Sequence, residues 1–317
     1  MKRILKLIVV LILVAVVWSM VPVAELYLRE VPAPYTNEQA AEKLKDKKGE
    51  YFGFIIFGDN HAGLVFDDSA TLKLIRSMNR EDRFRKMPID FAASPGDVTF
   101  RGSEWDYAVF NKVRSLIKYP VISAMGNHDD DKKTRHGAER FKRYAGKKDI
   151  SFADRNSYFI FLDDTVGDLS EEQFARFEDE LKKSSAYKHR FVIMHKSPIS
   201  PYQQSWYRPE ISPWSRRVMK LCEAYKVDIV FSGHEHMFKE MNFGGVKYVI
   251  SGGGGVITQI PSSDGGFLHY LVVRVNGDYV DYEARKALPP LWEGLLYYIW
   301  KEFFYFLKRC VYYEITY

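Results

Sequence analysis

Four apolar, β-like runs in this 317-residue chain lead into a glycine followed at once by a residue able to bind a metal. Tyr51–Phe57 runs into Gly58-Asp59-Asn60-His61, and Ile89–Ala93 into Gly96-Asp97. Val121–Ala124 runs into Gly126-Asn127-His128-Asp129, and Asp228–Phe231 into Gly233-His234-Glu235-His236. A fifth run, Phe191–Met194, ends directly in His195. Strand ends on one edge of an α/β sheet converge in space, so residues far apart in sequence meet there. Glycine lets the chain turn sharply off each strand and approach a ligand. Pooled, the segments offer carboxylates, an amide and imidazoles without sulfur, a donor set suited to Mn, Fe or Zn.

Further strands are expected at Tyr158–Leu162, Lys247–Ile250, Leu268–Val275 and Tyr279–Ala284. Helical spacing is read over Ser69–Arg80, Glu104–Ile117, Ala138–Tyr144, Ser170–Lys183 and Trp214–Tyr225. Ser170 with Gln173 has the form of a capping box. Strands alternate with helices to about residue 231 and then follow one another directly. That order predicts an α/β domain whose sheet ends in antiparallel strands.

The ordered set of five resembles the calcineurin-like metallophosphoesterase family, whose signature is Asp-x-His, Gly-Asp, Gly-Asn-His-Asp/Glu, His and Gly-His-x-His. The likeness runs from Tyr51 to about Ala284. It implies a four-layer α/β/β/α sandwich and two metal ions, Mn, Fe or Zn. By resemblance, Asp59, His61 and His236 would hold the first metal, and Asn127, His195 and His234 the second. Asp97 would bridge the two, one oxygen to each. His128 would face the substrate phosphoryl group. Asp129 either fixes the tautomer of His128 or caps a helix. Purple acid phosphatases carry a metal-binding Tyr three residues after the Gly-Asp aspartate, where Phe100 stands in this chain. Gly96-Asp97-Val98-Thr99-Phe100-Arg101-Gly102 looks more like the phosphodiesterase-like branch.

The termini are read differently. Lys2, Arg3 and Lys6 precede Leu7–Ala24, whose only polar side chain is Ser19. As a helix this run spans about 27 Å, near the roughly 30 Å hydrocarbon core. An uncleaved transmembrane anchor over residues 1–24 is expected, with the basic end in the cytoplasm and the catalytic domain outside it. A cleaved signal peptide is the alternative. Residues 25–50 read as a polar stalk, 51–288 as the catalytic domain, and 289–317 as an amphipathic tail. In that tail Trp292, Leu295, Ile299, Trp300, Phe303 and Phe306 share a helical face, suited to a headgroup plane or to packing on the sheet.

Charge and cysteine content narrow the classes. Lys and Arg number 46 against 41 Asp and Glu, a formal +5 too mild to expect nucleic acid as partner. Cys222 and Cys310 are too few for a disulfide framework and read as small buried hydrophobes. The basic run Lys132–Lys148 either draws in anions or forms a solvated helix face. The aromatic segment from His195 to Arg217 either covers the site or packs on itself. Gly252–Gly255 lacks a following Lys-Ser/Thr and reads as a tight backbone passage, not a phosphate loop.

The function expected is two-metal hydrolysis of a phosphomonoester or phosphodiester, with a membrane lipid among the candidate substrates. The alternatives are a soluble-substrate nucleotide phosphodiesterase or nuclease, and a non-catalytic binding module on the same fold.

Overall fold

The computed structural model describes residues 10, 14, 21–82, 87–131, 134, 136–165, 167–199, 212–256, 258 and 260–287. Six helices and eleven strands are named below. The helices are α1 (Asn37–Glu42), α2 (Val65–Met78), α3 (Glu104–Ser115), α4 (Gly137–Tyr144), α5 (Glu171–Ser184) and α6 (Pro213–Ala224). The strands are β1 (Tyr51–Ile56), β2 (Ile89–Ser94), β3 (Val121–Ser123), β4 (Ile150–Asp154), β5 (Ser157–Leu162) and β6 (His189–Met194). They continue with β7 (Ile229–Ser232), β8 (Phe238–Phe243), β9 (Val246–Ser251), β10 (His269–Asn276) and β11 (Tyr279–Lys286).

Strand β1 reads as a continuous apolar run because both its faces are covered. Phe52, Phe54 and Ile56 point into a core shared with Phe159, Phe161, Phe191 and Phe231 of the other sheet. Ile55 and Phe57 point the opposite way, onto α2 and α3. Phe54 sits at the centre, its ring 5.2 Å from Phe91 on the neighbouring strand and 5.1 Å from Phe159 in the other sheet. A third core lies between the second sheet and helices α5 and α6. The layers run α/β/β/α.

Five strands form the first sheet in the order β11-β10-β1-β2-β3, and six form the second as β4-β5-β6-β7-β9-β8. β1, β2 and β3 are parallel, as are β5, β6, β7 and β9. The antiparallel strands close the edges, β10 and β11 in one sheet, β4 and β8 in the other. Ser170 caps α5, and Gln173 returns the bond, as its sequence form predicts.

Residues 25–50 do not form a detached stalk. Asn37 is buried, its amide donating to Ser123 O at 2.8 Å and Lys147 O at 2.9 Å, while its Oδ1 accepts from Ser123 N–H at 3.0 Å. The side chain therefore takes the place of a neighbouring strand along β3, an open sheet edge. Ala40, Ala41 and Leu44 bury into the inter-sheet core. Proline and charge content conceal these contacts in the sequence.

Among the described residues, no helix is long and apolar enough to cross a membrane. Most of the proposed anchor and the whole tail 289–317, with Cys310, lie outside the described residues, as do Tyr202, Trp206, Tyr207 and Arg208. Trp214 is a core residue of α6, and Arg217 pairs with Glu171. Cys222 is fully buried, which pushes its thiol up to about 12.

Candidate metal centre

The carboxyl ends of β1, β2 and β3 from one sheet, and of β6 and β7 from the other, open on the same edge. The turns leaving them are stitched together: Asp59 N–H donates to Gly96 O, His61 N–H to Asp97 O, and Gly233 N–H to His195 O, at 3.0–3.1 Å. Asp59, His61, Asp97 and His234 all take the left-handed conformation, with φ between 45° and 69°. A non-glycine residue held there costs of order 1–3 kcal/mol, a strain typical of functional sites. Two glycines allow the close approach. A Cβ on Gly126 would lie 2.2 Å from Asp97 Oδ1, and one on Gly96 would lie 2.9 Å from His195 Nδ1.

Two donor clusters result, each with its ligand atoms within 4.8 Å of one another. One comprises Asp59, His61, Asp97 and His236, and the other Asp97, His195 and His234. Asn127 joins the second, its Oδ1 3.0 Å from His195 Nε2. All seven residues picked from the sequence as metal ligands thus meet. Asp97 differs in one detail from the expected one oxygen per metal. Its Oδ2 faces both halves, 3.6 Å from His61 Nε2 and 3.3 Å from His195 Nε2, while Oδ1 accepts from His128 N–H at 2.7 Å. Oδ2 is therefore the atom that would be shared between two ions, and Oδ1 fixes the turn that carries His128.

The arrangement fits a pair of cations. His61 Nε2 is buried without a hydrogen-bond partner, aimed at Asp97. The donors are hard to borderline oxygens and nitrogens. Charges are already sorted around Asp97. Burial alone would raise its pKa, but the charge of His195, with that of His61 beside it, holds it well below the usual carboxylate range. Burial opposes a proton on His61, yet Asp67 and Asp97 outweigh it and push the imidazolium up to about 10. His195 is likewise pushed up to about 10, Asp97 overcoming burial. Burial and the charge of His195 push His234 down to about 2, and burial with His61 pushes His236 down to about 3. Burial, reinforced by Asp97, raises Asp59 to about 7.

His128 stacks on His61 with ring centroids 4.5 Å apart. Its Nδ1 lies 2.8 Å from Phe100 O, and a carbonyl only accepts, so Nδ1 carries a proton. The Phe100 ring flanks both imidazoles and brings no donor atom. Asp129 plays neither expected part. Its carboxylate accepts from Gly126 N–H at 2.8 Å, Thr99 N–H at 2.7 Å and Thr99 Oγ1 at 2.8 Å. It clamps the Asp97 turn to the Asn127 turn, and the tautomer of His128 is set by Phe100 instead.

Two supporting carboxylates escaped the sequence reading. Asp67 is buried with Oδ2 3.5 Å from His61 Nδ1, the outer carboxylate that orients a ligating imidazole. Its signal was present: Asp67-Asp68 opens α2, six residues after His61. Asp164 accepts from His195 N–H at 3.0 Å and Lys196 N–H at 2.7 Å, so it fixes the backbone that carries His195. The glycines after β9 do form a backbone passage, with Gly252 N–H on Met237 O and Gly254 N–H on Gly58 O. In the basic run, Arg140 and Arg143 pair with Glu104, Arg140 also with Asp131, and Lys148 with Asp163. Much of that charge is spent on structure.

The model of the calcineurin-like phosphoesterase family matches residues 52–238. The chain belongs to the calcineurin-like phosphoesterase family. Membership supports a hydrolase acting on phosphoester bonds, and the donor clusters fit the divalent metals that family uses. In fold, this phosphoesterase is similar to a purple acid phosphatase from yellow lupin (Lupinus luteus) seeds, at 16% identity and a TM-score of 0.59. That likeness covers 80% of this chain and 53% of the lupin enzyme, so the chain spans about half the length of that relative. It is similar also to GAP50, the anchor in the inner membrane complex of Plasmodium, at 12% identity and a TM-score of 0.58. There 75% of this chain and 85% of the other are covered. No curated protein matches the sequence.

Proposed function

We propose that the chain hydrolyses phosphoesters with two metal ions, Mn, Fe or Zn, in the phosphodiesterase-like manner of its family. The observation that carries this is the pair of donor clusters sharing Asp97 Oδ2. Asp59, His61, Asp97 and His236 hold one ion; Asp97, Asn127, His195 and His234 hold the other. When bound, two such ions lower the pKa of a shared water and draw charge from phosphoryl oxygens.

The residues of the chain do the rest. His61 and His195 give up their protons as the ions enter, which couples loading to pH. Asp129 and the Asp59–His234 hydrogen bond keep the strained turns in register, so the donors need no rearrangement. His128 keeps Nδ1–H on Phe100 O and presents Nε2 to the substrate, where a proton reaches the leaving oxygen. The Plasmodium neighbour is described as an anchor, so this fold serves assembly too. A complete ligand set favours turnover here.

The same reading tethers the protein to a membrane through residues 7–24, with the domain outside the cytoplasm. Lys2, Arg3 and Lys6 ahead of that run support this orientation. A phosphoester at the bilayer, lipid-borne included, is then the substrate class within reach.

Full-length protein loaded with Mn²⁺ should hydrolyse p-nitrophenyl phosphate or its bis-ester. Asp97→Ala should remove turnover and lower bound metal toward zero. Hydrolysis that survives Asp97→Ala rejects the two-metal reading.

A further inference from the structure

The absence of a stalk places the domain against whatever holds the apolar run at residues 7–24. Residues 21–28 are helical, and Val23 and Leu26 seat in the outer core between the first sheet and α2–α3. Tyr27 locks this helix down, its hydroxyl 2.6 Å from Asp68 and its ring 5.3 Å from Trp105. From Ala24 to Leu28 is about 6 Å of helix, so no slack separates the end of the apolar run from the domain surface.

Around that exit the surface is unusually apolar. Leu28 is 84% exposed, Phe66 58%, Trp105 51% and Val65 37%. Val10, Val14 and Val21, in the run itself, are helical and exposed as well. Single exposed hydrophobics are ordinary, but a group contiguous with an apolar terminus marks a contact surface. The chain's other end leaves from the same layer: Ala287, the last described residue before the amphipathic tail, packs on the core that holds Val23 and Leu26.

We propose that Leu28, Val65, Phe66 and Trp105 form a bilayer-contact face that lies in the headgroup region and holds the metal centre at the membrane surface. This rests on the tethered reading above and deepens it. The occupant is a lipid bilayer because the chain enters this face from an apolar run of bilayer-spanning length, docked without a linker. The face adjoins the chemistry. Val65 and Phe66 follow His61 by four and five residues, and Tyr27 reaches Asp68, the neighbour of the Asp67 that backs His61. A substrate phosphate carried on a lipid would need to rise only a short way from the headgroup plane.

The test is spin-label accessibility in full-length protein with Cys310→Ser, reconstituted into vesicles of phosphatidylcholine and phosphatidylglycerol. Buried Cys222, its thiol pushed up to about 12, leaves the introduced cysteine as the reactive one. Labels at Leu28→Cys and Val65→Cys should show a several-fold higher ratio of oxygen to nickel-chelate accessibility than a label at Phe243→Cys. Phe243 is 52% exposed on β8 of the other sheet and serves as the aqueous reference. Trp105→Cys replaces either site if one variant does not fold. Protein that floats with the vesicles while all labels read as aqueous overturns the contact face alone. Protein that fails to float overturns the tether and the face together. Neither readout depends on hydrolysis.

Discussion

The two halves of the pocket share one oxygen of Asp97 and differ in what surrounds it. The first adds the Asp59 carboxylate and backs His61 with Asp67. The second offers the neutral amide of Asn127, and the far nitrogen of His195 meets Pro95 O at 3.1 Å, a carbonyl and not a carboxylate. Each half nonetheless pairs one proton-holding imidazole, His61 or His195, with one driven neutral, His236 or His234. Charge, not the number of donors, separates the halves. The first should bind a cation harder and release it last.

After the loss of Asp97 itself, the largest expected effect belongs to a residue in neither half. His128→Ala should lower kcat by about 10²–10⁴-fold, the usual size of a lost general acid, with metal content unchanged. Metal loss in that variant would mean that His128 supports the site and does not act on substrate. Next, Asp67→Asn should weaken the first half by about 10–100-fold in metal affinity and spare the second, read by competition with a chelating dye. Equal weakening of both would break the comparison. Timed chelation of the wild type should show two steps, and Asp59→Asn should merge them by evening out the charge.

The smallest effect is in pH. His61 and His195 have folded values near 10, above the unfolded 6.5, so their contribution is full below 6.5 and is lost as pH rises toward 10. His234 and His236 lie far below 6.5 when folded, so their contribution is lost as pH falls from 6.5 toward 3. Metal-free protein should therefore melt highest near pH 6.5. Mn²⁺ should move that maximum upward and release about two protons per chain on binding at pH 8. A melting profile whose maximum ignores metal would sink the assignment of protons to His61 and His195.

Much of the pocket was legible because each ligand follows a β-like run, and a parallel sheet gathers such ends on one edge. What escaped depended on contacts between segments. Asp67 could be recognised only once α2 was known to start at Val65, since that start turns its carboxylate back onto His61. Asp129 adjoins His128 in sequence, but its bonds run to Thr99, thirty residues earlier. β8 is half-buried only at Phe238 and Met241 along Phe-Lys-Glu-Met-Asn-Phe and exposed elsewhere, so polar content masked an edge strand. β4, Ile-Ser-Phe-Ala-Asp, is half-buried along its middle and too short and mixed to show a strand pattern. The stalk reading failed because one amide, that of Asn37, finds its partners 86 and 110 residues away.

That amide also dictates how the protein should be cut. A recombinant fragment starting at Tyr51, the obvious boundary from sequence, would leave the N–H and C=O of Ser123 bare along β3 and uncover the apolar floor beneath Leu44. Such an edge recruits strands from neighbouring molecules, and the fragment should precipitate. One that begins before Thr36 keeps its own seal and should stay monodisperse.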